Sequence, residues 1–178
     1  MPLAFKYLPH YTYEDYKQWE GDWELIEGIP YAMAPSPFKK HQLISLRIVN
    51  QIYEQLKDCP ANCQVLYEID WIVSKDTVVR PDILVVCNDE SEDFVRKTPS
   101  IIFEIVSKAT AFKDENLKFE LYEREGVNYY VLVYPEEKRL KVYKHTGSKF
   151  INVFDGSSGK FTFEEVECPL ELEVTKVW

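Results

Sequence analysis

The stretch Ile101-Ile102-Phe103-Glu104-Ile105-Val106 decides how this chain is read, because it sets a single carboxylate in an otherwise apolar β-strand. A charge in such surroundings is costly unless something neutralises it. Asp82 repeats the arrangement between Arg80-Pro81 and Ile83-Leu84-Val85-Val86, so two acids project from two strongly apolar strands. Two readings of the pair stand side by side. Buried acids are common ligands of hard divalent cations such as Mg²⁺, Mn²⁺ or Ca²⁺, and they also occur as partners of a Lys or Arg in structural ion pairs.

The segments around these strands define the rest of the architecture. Ser100 to Ser107 reads as a strand, Phe112 to Arg124 as a helix with Phe112, Leu117, Leu121 and Tyr122 on one face, and Tyr129 to Tyr134 as a second strand. Gly126 supplies the helix stop. Strand, helix, strand in that order predicts a right-handed crossover between parallel strands. Further strands are predicted over Gln64 to Val73 and Thr77 to Cys87, joined at Ser74-Lys75-Asp76, with a polar, acidic loop from Asn88 to Lys97. Apolar residues at helical spacing from Lys39 to Lys57 give the longest helix, which Pro60 ends.

Nearer the start, Thr12 and Asp15 form an N-cap signal for a short helix over Tyr13 to Trp19. Trp23 to Glu27 and Ile29 to Met33 read as a hairpin turning at Glu27-Gly28, with Pro30 marking its second strand as an edge. The C-terminal part, through Leu140 to Tyr143, Phe150 to Phe154 and Phe161 to Glu164, reads as further β structure. The expected whole is a single α/β (α+β) domain over residues 1–178, in which a mixed central sheet is flanked by helices and extended by extra N- and C-terminal strands.

Composition narrows the functional classes. A net charge of −9 has the wrong sign for coating nucleic acid by bulk attraction, so any contact with a polyanion must be local and helped by a bound cation. No apolar stretch reaches the roughly 18 residues of a membrane span, and Met1 to Lys6 lacks a signal-peptide core, which predicts a cytoplasmic protein without membrane contact. Cys59, Cys63, Cys87 and Cys168 include no CxxC pair and no His at zinc spacing, so structural zinc is not expected. Cys87 reads as a small buried hydrophobe. Cys59 and Cys63, on either side of Pro60, have the proximity for an opportunistic disulfide, although free thiols are expected in a reducing cytosol.

Asp114 and Lys118 lie four apart on the helix after the Glu104 strand, and so share one face. They read either as an exposed ion pair or as groups directed at the strand's end. In the second case an ammonium joins two carboxylates. Phosphodiester hydrolysis needs that combination: a cation on the phosphate, an activated water and positive charge on the transition state.

Taken in order, Pro81-Asp82 followed by Glu104-Ile105-Val106 resembles the PD-(D/E)XK nuclease signature. More narrowly, the chain resembles the Uma family of restriction-endonuclease-like domains. The resemblance extends over Trp23 to Gly28, Ala34-Pro35-Ser36-Pro37 leading to His41, Arg80-Pro81-Asp82, Glu104 to Ser107, Asp114 with Lys118 and Tyr122, Gly126-Val127 and Tyr129-Tyr130-Val131. It implies a restriction-endonuclease-like core with Asp82 and Glu104 as metal ligands, the Ile105 carbonyl as a third, and Glu24 as an accessory acid. Val106 stands where the superfamily motif carries lysine. The family pattern points to Lys118 as the replacement, in preference to Lys108, because the strand ends near Ser107.

Several residues keep two readings. His41 is a general base, a phosphate contact or a helix N-terminal residue without a role; Glu24 is a site acid or an outward-facing strand acid. The basic stretch Lys138 to His145 with Lys149 either tracks a phosphate backbone or protects an edge strand. The expected activity is Mg²⁺-dependent hydrolysis of nucleic acid, DNA more than RNA, with Mn²⁺ as substitute metal and a homodimer as working unit. The alternative is a catalytically silent module of the same fold that binds nucleic acid or a protein partner.

Overall fold

The computed structural model describes Met1–Trp178. In chain order the elements are helices α1 (Leu3–Lys6) and α2 (Tyr13–Tyr16), strands β1 (Trp23–Ile26) and β2 (Ile29–Ala32), helix α3 (Lys39–Leu56), and strands β3 (Cys63–Tyr67), β4 (Trp71–Ser74), β5 (Thr77–Val79), β6 (Ile83–Cys87) and β7 (Ile101–Ile105). A π-helical turn over Lys113–Leu117 then leads into α4 (Lys118–Arg124). Strands β8 (Tyr129–Tyr134), β9 (Arg139–His145), β10 (Phe150–Gly156), β11 (Lys160–Phe163) and β12 (Leu170–Glu173) follow.

The centre is a six-stranded sheet of order β10-β9-β8-β7-β6-β3, in which only β7 and β8 run parallel, as a helical crossover requires. Side chains alternate across it. Ile101, Phe103 and Ile105 face α3 and the β11–β12 hairpin in one core cluster, with Ile44, Ile48 and Ile52 as the buried stripe of the helix. Ile102, Leu84, Val86, Tyr130 and Leu132 face the other way, against α4 and the N-terminal strands. Phe103 is fully buried, and truncating such a side chain costs about 3–5 kcal/mol. By the same alternation Glu104 points to the α4 side of the sheet.

A second sheet, of order β2-β1-β5-β4, packs beside α4 and carries Glu24 on β1. Its hairpin turn has Glu27 at φ 49° and Gly28 at φ 78°, the two left-handed residues of a tight hairpin connection. Pro30 lies on β2, which is an edge strand as expected.

The two long strands expected over Gln64 to Val73 and Thr77 to Cys87 are each broken, and each half belongs to a different sheet. The breaks have local causes. Glu68 takes a left-handed φ of 48°, and Pro81 has no N–H to give a sheet ladder. Between them Asp70 accepts hydrogen bonds from Arg80 Nε (2.7 Å) and Tyr16 OH (2.8 Å), which ties α2 to this corner. Three other expectations need correction. The short helix ends at Tyr16 rather than Trp19, Phe112 is 80% exposed rather than part of the buried helix face, and β12 is an additional strand.

The basic stretch forms β9, an interior strand, since the edge is β10. Edge protection therefore does not describe it, and two of its cations are neutralised within the chain, Arg139 by Asp155 and Lys144 by Glu165. The cysteines are not free thiols and do not pair as Cys59 with Cys63: Cys59 is joined to Cys168 and Cys63 to Cys87. No helix is long and apolar enough to cross a membrane.

Candidate active site

Ile83 is paired with Phe103 across β6 and β7, and one further step along that register sets Asp82 opposite Glu104. The two acids clamp each other's backbone. The Asp82 N–H donates to Glu104 Oε2 (3.3 Å), and the Ile105 N–H donates to Asp82 Oδ2 (2.7 Å). Glu104 is 2% exposed. Its Oε1 accepts from the Lys118 ammonium (2.8 Å) and from Tyr122 OH (2.9 Å), both carried by α4. Burial pushes the Glu104 carboxyl well above the usual range against the pull of Lys118, with Asp114, Asp82 and Glu24 adding to the rise.

Lys118 does not pair with Asp114 at the surface. Its ammonium lies 2.7 Å from Glu24 Oε1 and 2.8 Å from Glu104 Oε1, and the residue is 3% exposed. Burial works against its charge, but the surrounding carboxylates hold its pKa well above the usual lysine value. Glu24 is completely buried and also accepts from Lys113 Nζ (2.5 Å) and the Arg80 N–H (2.8 Å). Burial raises the Glu24 carboxyl, yet the two ammonium groups outweigh it and leave the pKa below the usual range.

The π-helical turn explains why two lysines five residues apart reach one carboxylate. A regular α-helix advances about 100° per residue and would set them about 140° apart around the axis. The wider turn over Lys113–Leu117 realigns them, and such turns recur at functional sites. Asp114 lies within it, 2% exposed, and burial lifts its carboxyl to about 6 while Lys118 opposes the rise.

Asp82, Glu104, Ile105, His41, Lys113, Asp114 and Lys118 line a cavity of about 740 Å³. His41, on the first turn of α3, places Nε2 3.4 Å from Asp82 Oδ2, and it titrates above the ordinary histidine value because Asp82 outweighs its burial. Lys108 sits on the same wall but is exposed and makes no ion pair. Glu24 does not line the cavity; it stands behind Lys118 and Lys113. The basic strand β9 does not reach it.

Lys113 was not legible as a site residue, since its direction depends on the π-helical turn. Tyr122 carried a weak signal, one helical turn beyond Lys118. Asp114 carried a stronger one, but its i,i+4 partner in sequence is not its partner in space.

Four carboxyl groups, Asp82, Glu104, Asp114 and Glu24, gather around the ammonium groups of Lys118 and Lys113 and the His41 imidazole, so the acids outnumber the bases. Oxygen donors with that excess fit a hard divalent ion, and Asp82 Oδ1 accepts no hydrogen bond within the chain.

Among known proteins, no curated protein matches the chain. Of solved structures, it is similar to a protein from Anabaena variabilis ATCC 29413 described as a "putative nuclease belonging to DUF820", with 19% identity and a TM-score of 0.76 over 94% of this chain and 97% of that one. At this identity the likeness establishes the fold, which is that of a nuclease-like α+β core. Residues 13–167 match the model of the Uma2 family, described as "Putative restriction endonuclease". With the match running from α2 past β11, and with the ordered acids and lysine at one cavity, the chain belongs to the Uma2 family.

Proposed function

We propose that this protein is a Mg²⁺-dependent nuclease that hydrolyses phosphodiester bonds, with Asp82, Glu104 and the Ile105 carbonyl holding the metal. The observation that carries the reading is the direct opposition of Asp82 and Glu104 in the wall of a cavity, with the Lys118 ammonium 2.8 Å from Glu104. When bound, a hard divalent ion supplies Lewis-acid polarisation of the phosphate and acidifies water. The chain's own groups do the rest. Tyr122 and Lys118 fix the Glu104 carboxylate, and Lys118, which stays protonated, adds positive charge where the transition state becomes more anionic. Glu24 holds Lys118 and Lys113 in place from behind, as an accessory acid that does not touch substrate. His41, which lines the cavity, orients Asp82.

Calorimetric titration with Mn²⁺ tests the metal site. Asp82→Ala and Glu104→Ala are expected to abolish a binding event that the parent shows, and parent-like binding by both variants would remove the assignment. Incubation of duplex DNA, single-stranded DNA and RNA with Mg²⁺ or Mn²⁺ tests the chemistry. Lys118→Ala is expected to lose at least about a hundredfold in rate, and an equal loss only in Lys108→Ala would move the role to that residue. A homodimer is part of the proposal, since cutting both strands of a duplex needs two sites, and light scattering at micromolar concentration decides it. The silent-module reading has one observation in its favour: Val106, at the motif lysine position, packs against the apolar cluster. It predicts Mn²⁺ binding with no cleavage of any nucleic acid.

A further inference from the structure

We propose that the four cysteines form a thiolate site for Zn²⁺, separate from the carboxylate site, and that the paired disulfides are its oxidised, metal-free form. The chain has four cysteines, and the fold brings all of them together from four separate places. Cys59 follows α3, Cys63 begins β3, Cys87 ends β6, and Cys168 precedes β12. They are joined as Cys59 with Cys168 and Cys63 with Cys87. The pairs are not two distant links, because the sulfurs of Cys59, Cys63 and Cys168 all lie within 4.8 Å of one another. Cys87 stands directly opposite Cys63 in the β3–β6 ladder and its sulfur is joined to that of Cys63, so the fourth sulfur touches one member of the trio and completes the set once that disulfide is opened.

The donor set determines the metal. Thiolates are soft ligands that select zinc over magnesium or calcium, and four of them make a closed tetrahedral structural site. Cys59-Pro60-Ala61-Asn62-Cys63 supplies a short-spaced pair of the kind found in such sites. The other two ligands come from a strand end and a loop far along the chain, which is why linear spacing hides the pattern. Cys87 is buried and the other three are half-buried, so the cluster is sheltered yet reachable.

Reducing the two disulfides takes four electrons and four protons from two equivalents of a dithiol reductant, which becomes a disulfide itself. One Zn²⁺ then displaces four thiol protons to the solvent and leaves a site of net charge −2. Position gives the site a purpose. Strand β6 starts directly after Asp82 and ends at Cys87, and α3 carries His41 in its first turn and ends shortly before Cys59, so the two elements that have candidate active-site groups at one end are fastened together at the other. The cluster lies roughly 17 Å along β6 from Asp82 by strand rise, too far for a catalytic part.

The test uses the whole chain purified with a dithiol reductant, followed by metal analysis and by titration with Co²⁺ as a spectroscopic probe. The expected result is close to one Zn²⁺ per chain, and a Co²⁺ form with thiolate charge-transfer bands and intense tetrahedral d–d bands. Cys59→Ser and Cys168→Ser should each lose those bands or weaken binding at least tenfold, while Asp82→Ala leaves the site unchanged. Folding of the serine variants is checked by circular dichroism, and the parent's Co²⁺ spectrum stands whether or not they fold. The proposal is overturned by four freely titrating thiols in the presence of Zn²⁺, by disulfides that persist in reductant, or by zinc lost in Asp82→Ala rather than in the cysteine variants. It does not rest on the nuclease reading, so an inactive protein that binds Zn²⁺ through thiolates still supports it.

Discussion

Replacing Lys118 by Met keeps the apolar stem of the side chain and removes the ammonium that lies 2.7 Å from Glu24 and 2.8 Å from Glu104. Removing one partner of a buried ion pair costs about 3–5 kcal/mol, since a charge is left without compensation. Here each acid keeps other donors: Glu24 retains Lys113 and the Arg80 N–H, and Glu104 retains Tyr122 OH and the Asp82 N–H. The loss should therefore sit near the lower figure. At about 2–4 °C per kcal/mol for a chain of this size, Lys118→Met should lower the melting temperature by about 6–12 °C in chelator at pH 8. The loss should shrink toward acidic pH. An acid whose folded pKa is raised binds more protons folded than unfolded, so its penalty grows as pH rises and is relieved as pH falls. Scanning calorimetry at pH 8 and pH 6 measures both effects. A melting temperature within about 2 °C of the parent at pH 8, equivalent to under about 1 kcal/mol, would refute the claim that Lys118 neutralises the buried acids.

Asp114, raised from 3.8 to about 6 by burial, opposes folding by up to about 3 kcal/mol above pH 6. Asp114→Asn should thus stabilise the metal-free protein at pH 8, by a margin that narrows toward pH 5 in urea midpoints; an equal margin at both pH values would point to packing instead. Glu24, held below its ordinary 4.5, stabilises the fold above that value and loses its contribution as pH falls through the depressed one. Glu24→Gln should accordingly destabilise most at neutral pH, with the difference closing in acid. Gly28 has φ 78°, and a Cβ there would come within 2.5 Å of the His10 ring. Gly28→Ala should cost about 1 kcal/mol or more, and a parent-like melting temperature would show that the turn relaxes freely.

The continuous apolar runs that mark β6, β7 and β8 in the sequence are the strands buried on both faces in the structure, and an acid within or beside such a run is conspicuous, which is why Asp82 and Glu104 were legible as a pair. The expected helix over Lys39 to Lys57 matches α3 within one residue, but the apolar residues that give the spacing (Leu43, Leu46, Ile48, Val49, Ile52, Tyr53 and Leu56) are not all buried: Leu43, Leu46 and Tyr53 are exposed, and the buried stripe is Ile44, Ile48 and Ile52. Failure came where hydrophobic pattern and backbone direction part company. Apolar residues continue through Ile69 and across Arg80-Pro81, so the pattern reads as long strands, although a left-handed Glu68 and an N–H-less Pro81 send the chain from one sheet to the other. Pro81 was the available warning.

The partners of the acids were illegible for a deeper reason. Periodicity assigns a residue to a face, but an ion pair depends on the rotation of a helix about its own axis and on register between elements distant in sequence. Lys118 could be placed on the helix after Glu104; that it would be shared with Glu24 depends on how β1 packs against α4. Lys113 depends further on one residue's worth of extra winding in a π-helical turn, which no local pattern here announces. The same limit governs the cysteines, whose proximity follows from the β3–β6 register and from where the chain returns before β12. What sequence physics supplies for such sites is the cost, a charge or thiol set in an apolar strand; the fold decides which distant group relieves it. At Glu104 that relief comes from Lys118 and Tyr122 together, and the surplus negative charge left around them is the reason a divalent cation is the ligand to test first.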